Sequence, residues 1–162
     1  MGAKCFFGYW DMVQDVTMKL LSQIPEDQLD YKPTPKNMSL KDLAVHMFEM
    51  EKVFVGAALK GELTFEDFNS FKRPEIKSVE DLKAFAKAVH DETNEKIVTL
   101  PEEELESKMV KTPWGEQSIF VFMSGAYEHL WHHRGQLYVY LHLVGVDEPI
   151  GIYSYPGMTV GA

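Results

Sequence analysis

Cysteine occurs once, at Cys5. One thiol cannot close an internal disulfide, and it supplies neither a CxxC pair nor the rest of a thiolate metal cluster, so a reducing cytoplasm is the expected location. Positive charge is also scarce: 16 Lys and Arg stand against 25 Asp and Glu, for a formal net charge of -9. Such a surface repels phosphate backbones and anionic lipid, so neither nucleic acid nor a membrane is an expected partner. No stretch approaches the ~18 uninterrupted apolar residues of a membrane span, and Asp11 arrives before a secretory core could form. Met1-Gly2 opens like a myristoylation signal, but Phe6 stands where that signal needs Ser or Thr. The chain also lacks internal repeats, a Gly-rich phosphate loop, a GxSxG elbow and a Rossmann fingerprint, which leaves nucleotide chemistry and serine hydrolysis without support.

What is present is a chain of 162 residues, 45% of them apolar, enough to bury one substantial core; a single domain over 1–162 is expected. From about Lys4 to Ile24, apolar residues recur at three- and four-residue steps through Phe6, Trp10, Val13, Leu20 and Ile24, which predicts an amphipathic helix. Pro33, Pro35 and Asn37 break it. Ser39 then reads as an N-cap with Asp42 in the first turn of a second helix, carrying Leu40, Leu43, Met47, Met50 and Phe54 inward and ending near Lys60, before Gly61. Residues 61–77 read as a connection. Ser78 with Asp81 repeats the capping pattern ahead of a third helix through Leu82, Phe85, Val89, Ile97 and Leu100. Pro113 and Gly115 mark a longer loop over Pro101–Gln117, with a short extended piece at Ser107–Thr112. A fourth helix should run from about Ser118 to Val144 and close at Gly145, followed by an irregular tail from Asp147. Four such helices bury their stripes best against one another, which predicts an all-α four-helix bundle, either up-down-up-down or a variant with longer crossovers.

The string Glu128-His129-Leu130-Trp131-His132-His133-Arg134-Gly135-Gln136 carries the chemistry. Residues four apart share one helix face, so His129 and His133 can reach one ion, while His132 points away. His46 lies in the inward arc of the second helix and is the natural third ligand. A lone buried histidine usually fills a polar gap, and His90, His132 and His142 are read that way. Burying three imidazoles in one bundle with no shared partner would be costly, which favours ligation for the set. Three neutral imidazoles leave coordination positions open, as a catalytic site needs. Ligand chemistry allows zinc, nickel, copper or iron, and affinity should fall below about pH 6.5, where free imidazole protonates. A di-iron bundle wants Glu-x-x-His twice, and no histidine here has Glu three residues before it; the zincin pattern fails because Leu130 follows His129.

These features, together with the terminal Leu143-Val144-Gly145 and Pro149, resemble the DinB/YfiT-like superfamily over nearly the whole chain. The resemblance implies a metal triad of His46, His129 and His133, with zinc or nickel as the metal and a homodimer as the assembly. It implies no single activity, because members include S-transferases using bacillithiol or mycothiol, a maleylpyruvate isomerase branch and proposed hydrolases. The preferred expectation is a metal-dependent S-transferase that joins a low-molecular-weight thiol to an electrophilic small molecule. The alternatives are a metal-dependent hydrolase and a non-catalytic metal- or small-molecule-binding stress protein. Glu49, Asp15 and Arg134 are candidate catalytic side chains, although Glu49 and Asp15 read first as solvated surface, and Arg134 and Gln136 read equally as groups that bind an anionic substrate or as residues that stabilise the helix and its packing.

Overall fold

The computed structural model describes residues 3–151. Helix α1 (Ala3–Leu21) buries Phe7, Trp10, Val13, Val16 and Leu20. It stops three residues before the expected Ile24, because Pro25 disfavours helical backbone at the residue before it. Ile24 is nevertheless buried, in a turn where its N–H donates to Leu21 O at 3.2 Å. After a 3-10 turn at Glu26–Gln28, helix α2 (Leu40–Lys60) starts under the Ser39 cap, whose Oγ accepts from Asp42 N at 3.2 Å. It closes at Gly61, which takes φ 83° and returns its N–H to Ala57 O at 2.8 Å. That left-handed backbone favours glycine.

The connection expected over 61–77 contains a short helix, α3 (Phe65–Asn69), opened by a capping box between Thr64 and Asp67. Helix α4 (Val79–Ile97) begins with a second box between Ser78 and Asp81 and ends before Leu100, which is still buried. The long loop is likewise more ordered than its composition suggests. It holds α5 (Glu104–Ser107) and a hairpin of β1 (Met109–Thr112) with β2 (Gly115–Ser118). The strands are antiparallel, Val110 facing Gln117 and Thr112 facing Gly115. Lys111 bonds back to the end of α2 through Lys111 N to Gly61 O (3.0 Å) and Leu63 N to Lys111 O (2.7 Å), tying the hairpin to the bundle. Helix α6 (Ile119–Leu143) follows the Ser118 cap, and the irregular stretch after Gly145 is described as far as Gly151. The remainder of the expected irregular tail lies outside the described residues.

The molecule is mostly helical, as the apolar periodicity demands, with the long helices α1, α2, α4 and α6 enclosing the core. α2 lies against both α4 and α6, and α1 completes the bundle against α4 and, less extensively, α6. Consecutive long helices α1 and α2 are thus not principal neighbours, nor are α4 and α6, so the plain sequential order gives way to the variant with long crossovers. This arrangement lays α2 directly beside α6 and so brings their histidines together. Among the described residues no helix is long and apolar enough to cross a membrane.

Candidate metal centre

His46 comes from the second turn of α2, while His129 and His133 come from consecutive turns of α6. The ring of His46 stands edge-on to the other two, with centroids 5.2 Å from His129 and 4.8 Å from His133. One nitrogen of each ring lies within 4.8 Å of the others, so the three could hold a metal ion. The Nε2 atoms of His129 and His133 are 3.2 Å apart. Two nitrogens each about 2.0–2.1 Å from a tetrahedral zinc ion stand roughly 3.3 Å from one another, so this pair is already spaced for ligation.

The donor set has the right protonation. Burial, then the neighbouring His133 and His46, push His129 down to about 4. Burial followed by His133 lowers His46, with Glu49 opposing and Arg73 adding to the shift. Burial also lowers His133, against the hydrogen bond it donates to Gln136. All three imidazoles are therefore neutral at pH 7, which is the ligand form. The expected acid limit near pH 6.5 moves lower as a result, because burial has already removed much of the proton's competition.

The surrounding side chains fix the rings. His133 Nδ1 donates to Gln136 Oε1 at 2.7 Å, which leaves Nε2 unprotonated, as ligation requires. Gln136 Nε2 in turn donates to the exposed His132 at 3.2 Å, so His132 stands outside the triad as its helical angle requires. Phe54 covers His129, ring centroids 5.6 Å apart. Glu49 is buried, at 5% exposure, rather than solvated. Its Oε2 lies 3.7 Å from His46 Nδ1 and accepts from Arg73 Nε at 3.2 Å and Nη2 at 2.9 Å. The expectation of a surface role for Glu49 was wrong because the segment between α3 and α4 folds Arg73 back over it. Asp15 does sit at the surface, paired with Lys19 at 2.6 Å. Arg134 is buried and donates to Val13 O at 3.2 Å, joining α6 to α1 as a packing residue.

His90 is no simple core filler: Nδ1 donates to Glu51 Oε1 and Nε2 to Asp11 Oδ1, both at 2.9 Å. His142 is exposed, against Tyr138. Trp131 packs against Tyr9 and Tyr127. Sequence reasoning missed Arg73, which sits in a non-periodic connection; the neighbouring Pro74 marks only a break in helix.

A helical bundle with three neutral histidines facing one point defines a candidate metal-binding protein. The DinB family model matches residues 1–158, and the chain belongs to the DinB family. It is 26% identical over 137 residues to the uncharacterized protein YjoA of Bacillus subtilis (strain 168), covering 83% of this chain and 86% of that protein. The crystal structure of that DinB-like protein superposes with a TM-score of 0.75 at 25% identity, covering 91% of this chain and 94% of the other. A DinB-like protein from Bacillus cereus ATCC 10987 shares the fold with a TM-score of 0.74 at 19% identity, covering 91% and 95% of the two chains.

Proposed function

We propose that the protein is a metal-dependent S-transferase that joins a low-molecular-weight thiol to an electrophilic small molecule, with His46, His129 and His133 as ligands of one zinc or nickel ion. The carrying observation is that the histidines converge with no carboxylate among the donors, so three protein ligands leave positions for an exogenous group. A divalent ion there would stabilise a thiol as its thiolate, the nucleophilic form. The chain's own part is to hold the rings: Gln136 fixes the tautomer of His133, and Glu49 faces Nδ1 of His46. On coordination the thiol would lose its proton to solvent, and the thiolate would then form the C–S bond as the electrophile's leaving group departs, a displacement that asks no general base of the protein. This favours transfer over hydrolysis. A hydrolase would need a proton acceptor, and Glu49, the only carboxylate within 4 Å of a triad imidazole among the described residues, is engaged by Arg73.

The proposal extends to a reducing cytoplasm as location and a homodimer as assembly. The dimer is supported by apolar residues on the outward face of α6, where Val121, Val139 and Leu143 are each more than half exposed.

The test is turnover with zinc or nickel supplied. Metal-dependent adduct formation between bacillithiol and an alkyl halide, followed by mass spectrometry, is the expected result. Loss of an ester substrate without thiol would favour hydrolysis instead. Stoichiometric metal without turnover of either would favour a non-catalytic binding protein.

A further inference from the structure

Glu49 poses a problem for an open metal site. It lies one turn from His46 on α2, it is buried, and its Oε2 is 3.7 Å from a ring nitrogen of a candidate ligand. A carboxylate this near a ligand of a divalent cation would be attracted to the ion through the poorly solvated interior. A fourth protein ligand would occupy a position that an exogenous group needs.

The opposing element is Arg73. It arrives from the segment between α3 and α4, which Ile76 anchors in the core and Phe71 anchors against Phe85, ring centroids 6.1 Å apart. Two guanidinium nitrogens converge on one oxygen, Oε2, at 3.2 and 2.9 Å, and that is the oxygen nearest His46. Arg73 itself is half exposed, so its charge is spent on a carboxylate far more buried than it is. Arginine suits this task better than lysine because two rigidly held N–H groups close on the one oxygen, Oε2, that faces His46.

We propose that Arg73 is a positioning residue of the metal centre, holding Glu49 behind His46 so that the carboxylate supports the ring and stays out of the coordination sphere. This rests on the metal-centre reading above. With Arg73 removed, Glu49 is free either to rotate toward the ion or to leave His46 unsupported. Either change alters the ion's surroundings without touching a ligand.

The test uses the full chain loaded with Co(II), whose visible absorption reports coordination number, beside Arg73→Met, Arg73→Lys, Glu49→Gln and the Arg73→Met/Glu49→Gln double variant. Helical circular dichroism confirms that each is folded. Arg73→Met is expected to change the cobalt band positions or intensity and to shift metal affinity by about 10-fold to 100-fold, the usual effect of losing a ligand's outer support. Arg73→Lys should restore the wild-type spectrum only in part. In the Glu49→Gln background, Arg73→Met should add little, since the arginine acts through the carboxylate. A wild-type spectrum and affinity in Arg73→Met would overturn the inference while leaving the metal centre standing, as would an Arg73→Met effect of undiminished size in the Glu49→Gln background. Wild-type protein that takes up no cobalt, zinc or nickel would overturn both.

Discussion

At the scale of single residues, His133 and its neighbours separate a metal ligand from a bystander. His133→Ala should remove most bound metal, and His132→Ala, one residue away but turned to solvent, should leave it nearly intact. Gln136→Ala keeps all three ligands but loses the 2.7 Å bond that sets the His133 tautomer. It should weaken metal binding by about 10-fold to 100-fold. Metal content by elemental mass spectrometry and competition with a chelator distinguish the three, and equal loss in His132→Ala and His133→Ala would refute the assignment. The convergence of the three histidines was readable because the 3.6-residue period puts His129 and His133 on one face and excludes His132, and His46 lies in the inward arc of α2. Glu49 was not, because its burial depends on Arg73, whose place in space no local pattern encodes. Gln136 was readable only as a polar residue one turn beyond His133; that its amide faces the imidazole is a matter of rotamer.

At the scale of elements, the starts of α2, α4 and α6 and the close of α2 were legible. Ser39, Ser78 and Ser118 cap α2, α4 and α6, and Gly61 closes α2 with the backbone only glycine adopts easily. The short α3 escaped because five residues show no apolar period, although Thr64 and Asp67 form the same box as Ser78 and Asp81. The hairpin escaped in part: only its first strand carries apolar residues, and Gly115-Glu116-Gln117-Ser118 has no strand-forming side chain.

Part of what holds α1 was also hidden, since it rests on a buried carboxylate on another helix. Glu51, at 2% exposure, accepts from Trp10 Nε1 (3.3 Å), Gln14 Nε2, Thr93 Oγ1 (2.5 Å) and His90 Nδ1, joining α1, α2 and α4. Glu51→Ala strands these donors; breaking a buried ion pair costs about 3–5 kcal/mol, a fall in Tm on the order of 10 °C for a domain of this size. The same network makes stability depend on pH. Burial lowers the proton affinity of His90, but the hydrogen bonds and charges of Glu51 and Asp11 outweigh it and the net shift is upward. The folded protein therefore binds this proton more tightly than the unfolded chain. The contribution is complete below about pH 6.5, the ordinary histidine value, and drains away as pH rises through the higher folded value. Thermal melts of wild type and His90→Gln from pH 5.5 to 9 should show a gap that narrows on the alkaline side. A gap independent of pH would mean that His90 is not charged in this network.

At the scale of the whole molecule, α6 has apolar residues on nearly every side, whereas a helix with solvent on one face is normally polar there. Val121, Gly125, Glu128, His132, Gly135, Val139 and Leu143 follow one another along a single outward line, the helical spacing of three, four and seven residues. Glu128 is the one formal charge on that line, in a chain whose formal net charge is -9. Two copies approaching through any acidic face repel each other, but this strip lets them meet with little charge between them. A two-fold pairing would place the strip against itself, each copy covering the other's exposed valines and leucine. Sedimentation of the wild type should then show a dimer that tightens as salt screens the remaining repulsion. Val139→Lys, toward the C-terminal end of the line and on a different face of α6 from His129 and His133, should shift the protein to monomer while retaining metal. A wild type that stays monomeric at high protein concentration and high salt would leave the apolar strip without a second copy as its partner.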